Sequence, residues 1–229
     1  ARSMDPSPLE ILYEDNHLLA VSKPARLPTM GTPSGENSLL RTAKEWLKQL
    51  CGKPGNVYLG VVSRLDAPVT GVVLLARTSK AASRLTEQFR AREVEKVYWA
   101  IAEGVVQPPE SRLVHWIVPH GRHRRMMLVG PTIAGAKEAI LSYRRLGIVQ
   151  RDSLLEVRLE TGRKHQIRIQ LADRGHPIVG DYKYGAQQKF PLGIALHARR
   201  IAFRHPVRDQ RVVIEAPLPP AWAAWGVTG

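Results

Sequence analysis

Cysteine is almost absent from the sequence, and this excludes several classes of protein. The single cysteine, Cys51, can form neither an internal disulfide nor a multi-cysteine zinc site. No run of about 18 apolar residues occurs, which excludes a transmembrane helix, and the first residues lack the apolar core of a signal peptide. We therefore expect a soluble, cytoplasmic protein with no membrane partner, and we expect it to be a monomer.

Acidic residues are also in deficit, which gives the first indication of a partner. The 229 residues include 34 Lys and Arg against 20 Asp and Glu, a net charge of +14. A pI near 10.4 on a folded domain favours a polyanionic partner, most often nucleic acid. Solubility alone is the simpler explanation of the charge. An anionic membrane surface fits less well, because no long basic amphipathic helix stands out.

The hydrophobic pattern predicts more strands than helices, with many joins of the hairpin type. We predict an α+β fold with a mixed, mostly antiparallel central sheet flanked by helices and loops. Residues 1–8 are expected to be a flexible N-terminal segment or a remnant of cloning, and residues 9–229 a single domain. The only candidate seam is 104–137, of which the basic stretch 119–137 is predicted to be irregular because Gly and Pro interrupt it.

Asp66 is the first candidate for chemistry. It lies in a short loop between two apolar segments, 57–62 and 72–76, both predicted to be buried strands. A carboxylate fixed at such a junction is well placed to act as a nucleophile or base. The alternative is an Asp that caps a turn through backbone N–H groups, and the local sequence leaves both interpretations open.

A second candidate region begins at Thr161-Gly162. A helix predicted over 164–174 places His165, Arg168 and Ala172 on one face. Arg168 is flanked by isoleucines, so we expect it to be partly buried beside a carboxylate, which its planar guanidinium binds through two hydrogen bonds. For Arg163 and its neighbour Lys164, a solvated basic face or a phosphate contact is expected.

Tyr98 lies in a predicted strand, where Lys96, Tyr98 and Ala100 share one face. By itself the pattern favours a tyrosine packed in the core with its hydroxyl satisfied.

The stretch 115–125 combines histidines with arginines. Its histidines are His115, His120 and His123, and its arginines are Arg122, Arg124 and Arg125. A dication would be repelled by the arginines, so no metal site is expected and contact with nucleic-acid phosphates is favoured. The sequence also lacks a phosphate-binding GxxxxGK[ST] loop, GxGxxG, GxSxG and HExxH.

Taken together, these segments resemble the RluA family of pseudouridine synthases. Arg64-Leu65-Asp66 followed by Thr70-Gly71 resembles the active-site loop of that family, and Lys96-x-Tyr98 resembles its second motif. The stretch 155–168, which ends in Thr-Gly-Arg-Lys-His-Gln-Ile-Arg, resembles its third motif and continues through Gly-His-Pro-Ile-Val-Gly-Asp at 175–181. Further similarity at 11–24, 184–185 and 196–198 extends the match, in order, over about residues 9–216.

The resemblance implies a fold, a reaction and a set of residues. It implies a pseudouridine synthase fold with an active-site cleft across the sheet, and residues 9–229 as the catalytic domain alone, with no S4-type RNA-binding extension. The family converts uridine in structured ribosomal or transfer RNA to pseudouridine, with no metal or cofactor. Asp66 is implied as the essential carboxylate, Arg168 as the group that keeps it charged and aims it, and Tyr98 as the side chain against the uracil.

The remaining implied residues contact RNA or close the pocket. The target base must be flipped out of the RNA, and Arg64 is expected to fill or brace the space that it leaves. The other expected RNA contacts are Arg122, Arg124, Arg125, Arg163 and His165, and the expected apolar walls of the pocket are Ile167 and Leu196. The sequence departs from the family at Ser63, where His is common, at Val69-Thr70, and at Ala25-Arg26.

Two alternatives come from other classes of protein. The first is an RNA-binding assembly factor of the same fold that has lost turnover. Such a protein has no need of Asp66, since a carboxylate near a polyanion weakens binding. The second is a glycoside hydrolase, which breaks a related bond but needs two catalytic carboxylates about 5–10 Å apart. Asp181 is the other carboxylate available, and Gly180-Asp181 is more typical of a turn.

Overall fold

The computed structural model describes residues 9–33, 36–52, 55–121 and 124–228. The strands, in chain order, are β1 (Glu10–Glu14), β2 (Leu18–Lys23), β3 (Gly60–Val61), β4 (Thr70–Ala76), β5 (Glu95–Ala102), β6 (Glu110–His120), β7 (Arg125–Val129), β8 (Lys137–Val149), β9 (Asp152–Leu159), β10 (Leu196–Arg204) and β11 (Arg211–Glu215). The helices are α1 (Leu39–Cys51), α2 (Ser79–Arg90) and α3 (Gln166–Asp173), with 3-10 turns at Tyr182–Tyr184 and Pro220–Trp225. The expectation for residues 1–8 lies outside these described ranges.

All the described strands belong to one sheet. Its main path runs β1-β2-β4-β10-β5-β9-β8-β6-β7, while β3 pairs with β4 and β11 pairs with β10. Among the described strand pairs, β4 with β10 is parallel and the others are antiparallel. The predicted α+β class with a mixed, mostly antiparallel sheet is therefore confirmed.

Apolar sequence and helix caps explain why these elements form. All seven residues of β4 are buried, in keeping with a strand covered on both faces. Ser38 caps α1 by accepting a hydrogen bond from the N–H of Arg41, and the left-handed Gly52 ends that helix. None of the helices in the described part of the chain is long and apolar enough to cross a membrane.

One local prediction was wrong, and one predicted helix begins two residues later than expected. The basic stretch 119–137, predicted to be irregular, contains the end of β6, all of β7 and the start of β8, which pair as antiparallel strands. Its arginines and glycines obscure a short strand-like alternation of exposed and buried side chains, in which Met126 is buried between exposed neighbours. Helix α3 begins at Gln166 rather than Lys164, because His165 adopts a left-handed conformation with φ of 55° and lies outside the helix.

Gly71 stands where β4 and β10 approach each other most closely. Its φ of 116° is one that side chains rarely adopt. A Cβ atom built on Gly71 would overlap the backbone of Ala198 and lie 2.6 Å from its nitrogen. The parallel pairing of the two strands at this point therefore requires glycine.

We predict that Gly71→Ala lowers the free energy of unfolding by more than about 2 kcal/mol, because it combines backbone strain with a clash against main-chain atoms. Chemical denaturation measures this change. Gly147→Ala is the matched control, since Gly147 has no atoms within 4 Å of an added Cβ. Equal stabilities of the two variants would contradict the requirement for glycine at 71.

Candidate active site

A cleft of about 350 Å³ opens beside the loop between β3 and β4. Its lining comes from the segment after β2, from the β3–β4 loop and from the start of α3 with the loop before it. Single residues of β5, β9 and β10 complete it. The candidate residues that line the cleft are Arg64, Asp66, Tyr98, Arg163, His165, Ile167, Arg168 and Leu196. Positions far apart in the sequence are thus brought to one site, with Ile167 and Leu196 almost fully buried in its wall.

Buried polar contacts from the end of β2 and the segment after it hold the loop that carries Asp66. The hydroxyl of Thr29 donates to the carbonyl of Leu65 at 2.8 Å and accepts from the N–H of the same residue at 3.1 Å. The Nζ atom of Lys23 donates to three carbonyls, one of which belongs to Ala67, directly after Asp66. The backbone on both sides of Asp66 is therefore fixed by side chains that are nearly inaccessible to solvent.

Burial also sets the electrostatics of Lys23. It lowers the pKa of this ammonium to about 7, although the charge of Asp66 acts in the opposite direction. The three donors of an ammonium match the three carbonyl acceptors, so the hydrogen bonds favour the charged form. Lys23 therefore holds the loop of Asp66 through Ala67, and with a pKa of about 7 its ammonium is only partly charged at neutral pH.

Arg168 joins two carboxylates. Its Nε and Nη2 atoms donate to the two oxygens of Asp181 at 2.7 and 2.8 Å, and its Nη1 donates to Oδ2 of Asp66 at 3.0 Å. Burial alone would lower the pKa of Arg168, but the hydrogen bonds and charges of Asp181 and Asp66 outweigh it and raise the pKa. The guanidinium is therefore a fixed positive charge, oriented by Asp181 toward Asp66.

His165 and Tyr184 form a second chain of contacts that leads to Asp66. The N–H of Met126 donates to the hydroxyl oxygen of Tyr184 at 2.8 Å, and that hydroxyl lies 2.7 Å from Nδ1 of His165. The other ring nitrogen, Nε2, lies 3.7 Å from Oδ2 of Asp66. When Tyr184 donates to Nδ1, the proton of a neutral imidazole stands on Nε2 and faces the carboxylate.

The charge state of His165 follows from its surroundings. Burial lowers its pKa to about 4, and the positive charges of Arg168, Lys164 and Lys183 oppose protonation further, against the favourable charge of Asp66. His165 is therefore neutral near pH 7. The aromatic ring of Tyr184 also lies 5.2 Å from the Arg168 guanidinium, so Tyr184 contacts both groups that reach Asp66.

Tyr98 lies on β5 and faces the cleft. It is flanked by Ala198 of β10 and Val157 of β9. Burial raises the pKa of its hydroxyl and the negative charge of Asp66 raises it further, so Tyr98 is a neutral phenol. Its place among the residues of the cleft differs from that of a tyrosine wholly enclosed in the core.

The other predicted residues are distributed around this cleft. Arg64 and Arg163 are exposed on its lining. Arg124 and Arg125 are exposed where β6 turns into β7 and do not line the cleft, while Arg122 and His123 lie outside the described residues. Within those residues, no group of three or more His, Cys, Asp or Glu side chains could hold a metal ion.

Sequence reasoning missed the roles of Asp181, Lys23 and Tyr184. Each belongs to a segment that resembles the family, but none carried an expectation of its own beyond the turn assigned to Gly180-Asp181. Asp181 is only 2% exposed and both of its oxygens bind Arg168. It is therefore not presented to a substrate, which argues against the glycoside hydrolase.

Comparison with known proteins decides the family. The family model of RNA pseudouridylate synthases matches residues 17–173. The chain belongs to this family. The prediction of an isomerase of the RNA pseudouridine synthase type is confirmed at the level of the family.

Individual members of the family match over most of the chain. It is 36% identical over 223 residues to an uncharacterized RNA pseudouridine synthase of Synechocystis, and 38% identical over 237 residues to a ribosomal large subunit pseudouridine synthase D of Xylella fastidiosa. Each alignment covers 93% of this chain and 66% of the relative, so the chain spans about two thirds of those proteins.

A solved structure of the family has the same fold. The human RNA pseudouridylate synthase domain containing 4 superposes with a TM-score of 0.78 at 27% identity, covering 93% of this chain and 90% of that chain.

We predict that Asp181→Asn destabilises the protein by about 3 kcal/mol, because the amide presents N–H groups to the guanidinium and leaves a buried cation short of a partner. Urea unfolding measures the change. Asp209→Asn serves as control, since Asp209 is 89% exposed and binds an exposed arginine. A cost for Asp181→Asn as small as that of the control would contradict the buried pair.

Proposed function

We propose that this chain isomerises uridine to pseudouridine in structured RNA, with Asp66 as the essential carboxylate. The reaction breaks the N1–C1′ bond, turns the uracil within the cleft and joins C5 to C1′. The observation that carries the proposal is the contact between Asp66 and the buried Arg168, at 3.0 Å on the wall of a cleft. An RNA-binding protein without turnover has no use for a carboxylate held in this way.

Asp66 contacts its partners through one carboxylate oxygen, and the other is available to a substrate. Its Oδ2 atom binds Arg168 and faces His165, whereas Oδ1 has no hydrogen-bond partner among the described residues. We assign Oδ1 as the reacting atom. The same oxygen serves attack on C1′, attack on the base, or removal of the C2′ proton, and each route requires a carboxylate rather than a carboxylic acid.

Tyr98 and the apolar wall of the cleft contact the uracil. A neutral phenol next to the base can stack against it, and its hydroxyl can pass the C5 proton that the isomerisation releases. Ile167 and Leu196, in the wall of the cleft, exclude water from it, which keeps the cleaved uracil inside while it turns.

RNA enters through the basic rim of the cleft. Extrusion of a stacked base costs a few kcal/mol, which phosphate contacts and stacking in the pocket offset. Arg64 and Arg163 are exposed on the cleft lining and suit such contacts, and Arg124 and Arg125 suit a more distant stretch of backbone. Large-subunit ribosomal RNA is the first substrate to test, because the relative from Xylella fastidiosa is named for it.

His165 acts on the carboxylate rather than on RNA. Its side chain is only 6% exposed, which leaves little surface for the RNA contact expected from the sequence. We therefore assign His165 and Tyr184 as positioning residues that present an N–H group to Oδ2 of Asp66 and so leave Oδ1 for the reaction.

We predict that Asp66→Asn lowers turnover by about 100- to 10,000-fold while RNA still binds, since the variant keeps the shape but not the reacting oxygen anion. Tritium release from RNA that carries 5-tritiated uridine measures turnover. Pseudouridine mapping of total RNA after deletion and complementation identifies the site. If the unmodified chain releases no tritium and restores no pseudouridine, the inactive RNA-binding factor is the better assignment.

We predict that Tyr184→Phe lowers kcat about tenfold and leaves KM within about twofold, because the lost hydrogen bond releases His165 while the ring under Arg168 remains. Nitrogen NMR of the imidazole provides a second readout, with protonated Nε2 in the parent chain and a mixture of tautomers in the variant.

The matched control is Tyr182→Phe, since Tyr182 lies in the same 3-10 turn and is 61% exposed. A Tyr184→Phe variant that melts early but keeps its kcat and its tautomer at a permissive temperature would contradict the positioning role.

A further inference from the structure

Lys96 is a half-buried cation that the mechanism above does not use. Its ammonium lies 5.9 Å from the centre of the Phe89 ring, and a Cβ built on Gly162 would stand 3.4 Å from Nζ. No carboxylate lies within ion-pair distance of Lys96 in the described part of the chain. A half-buried ammonium with no carboxylate partner among the described residues, in an open depression, remains available to an anionic ligand.

The carboxylates of this region are already occupied. Glu160 binds Arg112 through both of its oxygens, and Glu138 binds Arg92. Burial lowers the pKa of Lys96 to about 8, and the positive charges of Arg163 and Arg92 lower it further. The surroundings of Lys96 therefore carry an excess of positive charge, which suits an anion.

The position of Lys96 relative to the cleft identifies the kind of anion. Lys96 and Tyr98 are two residues apart on the same face of β5, so their Cα atoms are roughly 7 Å apart. Gly162, next to the ammonium, and its neighbour Arg163 both line the cleft. A nucleotide whose base lies against Tyr98 would place backbone phosphate near Lys96 and Arg163.

We propose that Lys96 and Arg163 form a binding site for one phosphodiester group of the RNA strand, next to the flipped uridine. This inference rests on the proposed function. The Nε atom of Arg163 donates to the carbonyl of Glu138 at 3.0 Å, which fixes the guanidinium and leaves its terminal nitrogens for the phosphate. Lys96 lies in a depression that shares Leu159 with the cleft, and it supplies a second charge next to Gly162.

The test is a double-mutant cycle, in which one charge is removed from the protein, one from the RNA, and then both. The probe is a short RNA hairpin with a uridine-rich loop, in which each loop phosphate in turn is replaced by a neutral methylphosphonate, and the full chain binds it in fluorescence anisotropy. Lys96→Met keeps the aliphatic stem against Phe89 and removes the charge. Lys80→Met is the control, since Lys80 is exposed on α2, away from Gly162 and Arg163.

We expect Lys96→Met to weaken binding about three- to tenfold and to reduce the slope of log affinity against log salt by about 0.7 to 0.9. At one loop position, neutralising the phosphate weakens binding by the parent chain and by Lys80→Met but adds nothing to Lys96→Met. Lys96→Arg, which keeps the charge, restores most of the affinity.

If the affinity losses caused by Lys96→Met and by neutralising a phosphate multiplied at every loop position, the proposal would be overturned. A Lys96→Met variant that binds like the parent chain would also overturn it. A stability loss shared by Lys96→Met and Lys96→Arg, with no recovery of binding in the latter, would assign Lys96 to packing alone. The binding measurement does not depend on turnover. A chain that releases no tritium would therefore overturn the proposed function, while the double-mutant cycle could still be measured.

Discussion

The Arg168 guanidinium is the interaction on which the site depends. It binds Asp181, thirteen residues further along the chain, and Asp66, which is 102 residues away. All three groups are partly or fully removed from water, and any one of them would be costly to bury alone. The start of α3, the β3–β4 loop and the 3-10 turn after Asp181 are therefore held in one relative arrangement. The position of the Asp66 carboxylate is fixed because it shares the Arg168 guanidinium with Asp181.

The same arrangement reconciles a negative group with a strongly positive protein. A surface of net charge +14 attracts RNA from a distance, but a free carboxylate at the end of the path would repel the phosphates. Arg168 compensates the charge of Asp66, and His165 stays neutral beside it. The cations suited to attracting RNA are thus at the rim of the cleft, whereas the compensated carboxylate lies inside it.

Much of this could be predicted from sequence, and the failures have physical causes. The motif around Asp66 and the one that ends at Arg168 predicted two groups that the fold brings into contact, and alternating apolar residues predicted the sheet. The partner role of Asp181 was missed because a Gly-Asp pair is typical of a turn, whatever its side chain binds. His165 was placed on a helix face because periodicity does not reveal a left-handed residue at a helix start. The β6–β7 hairpin was missed because the arginines and glycines around its turn obscure a short alternation of buried and exposed residues.

The parallel pairing of β4 with β10 has a consequence for how the protein is made. Only two residue pairs join these strands, His197 with Thr70 and Ala198 with Gly71, and more than 120 residues separate them. On the ribosome, the edge of β4 must wait until β10 has left the exit tunnel, and contacts between such distant parts of a chain form slowly. The cleft, whose lining includes Leu196 of β10, is therefore completed only after that strand has joined the sheet.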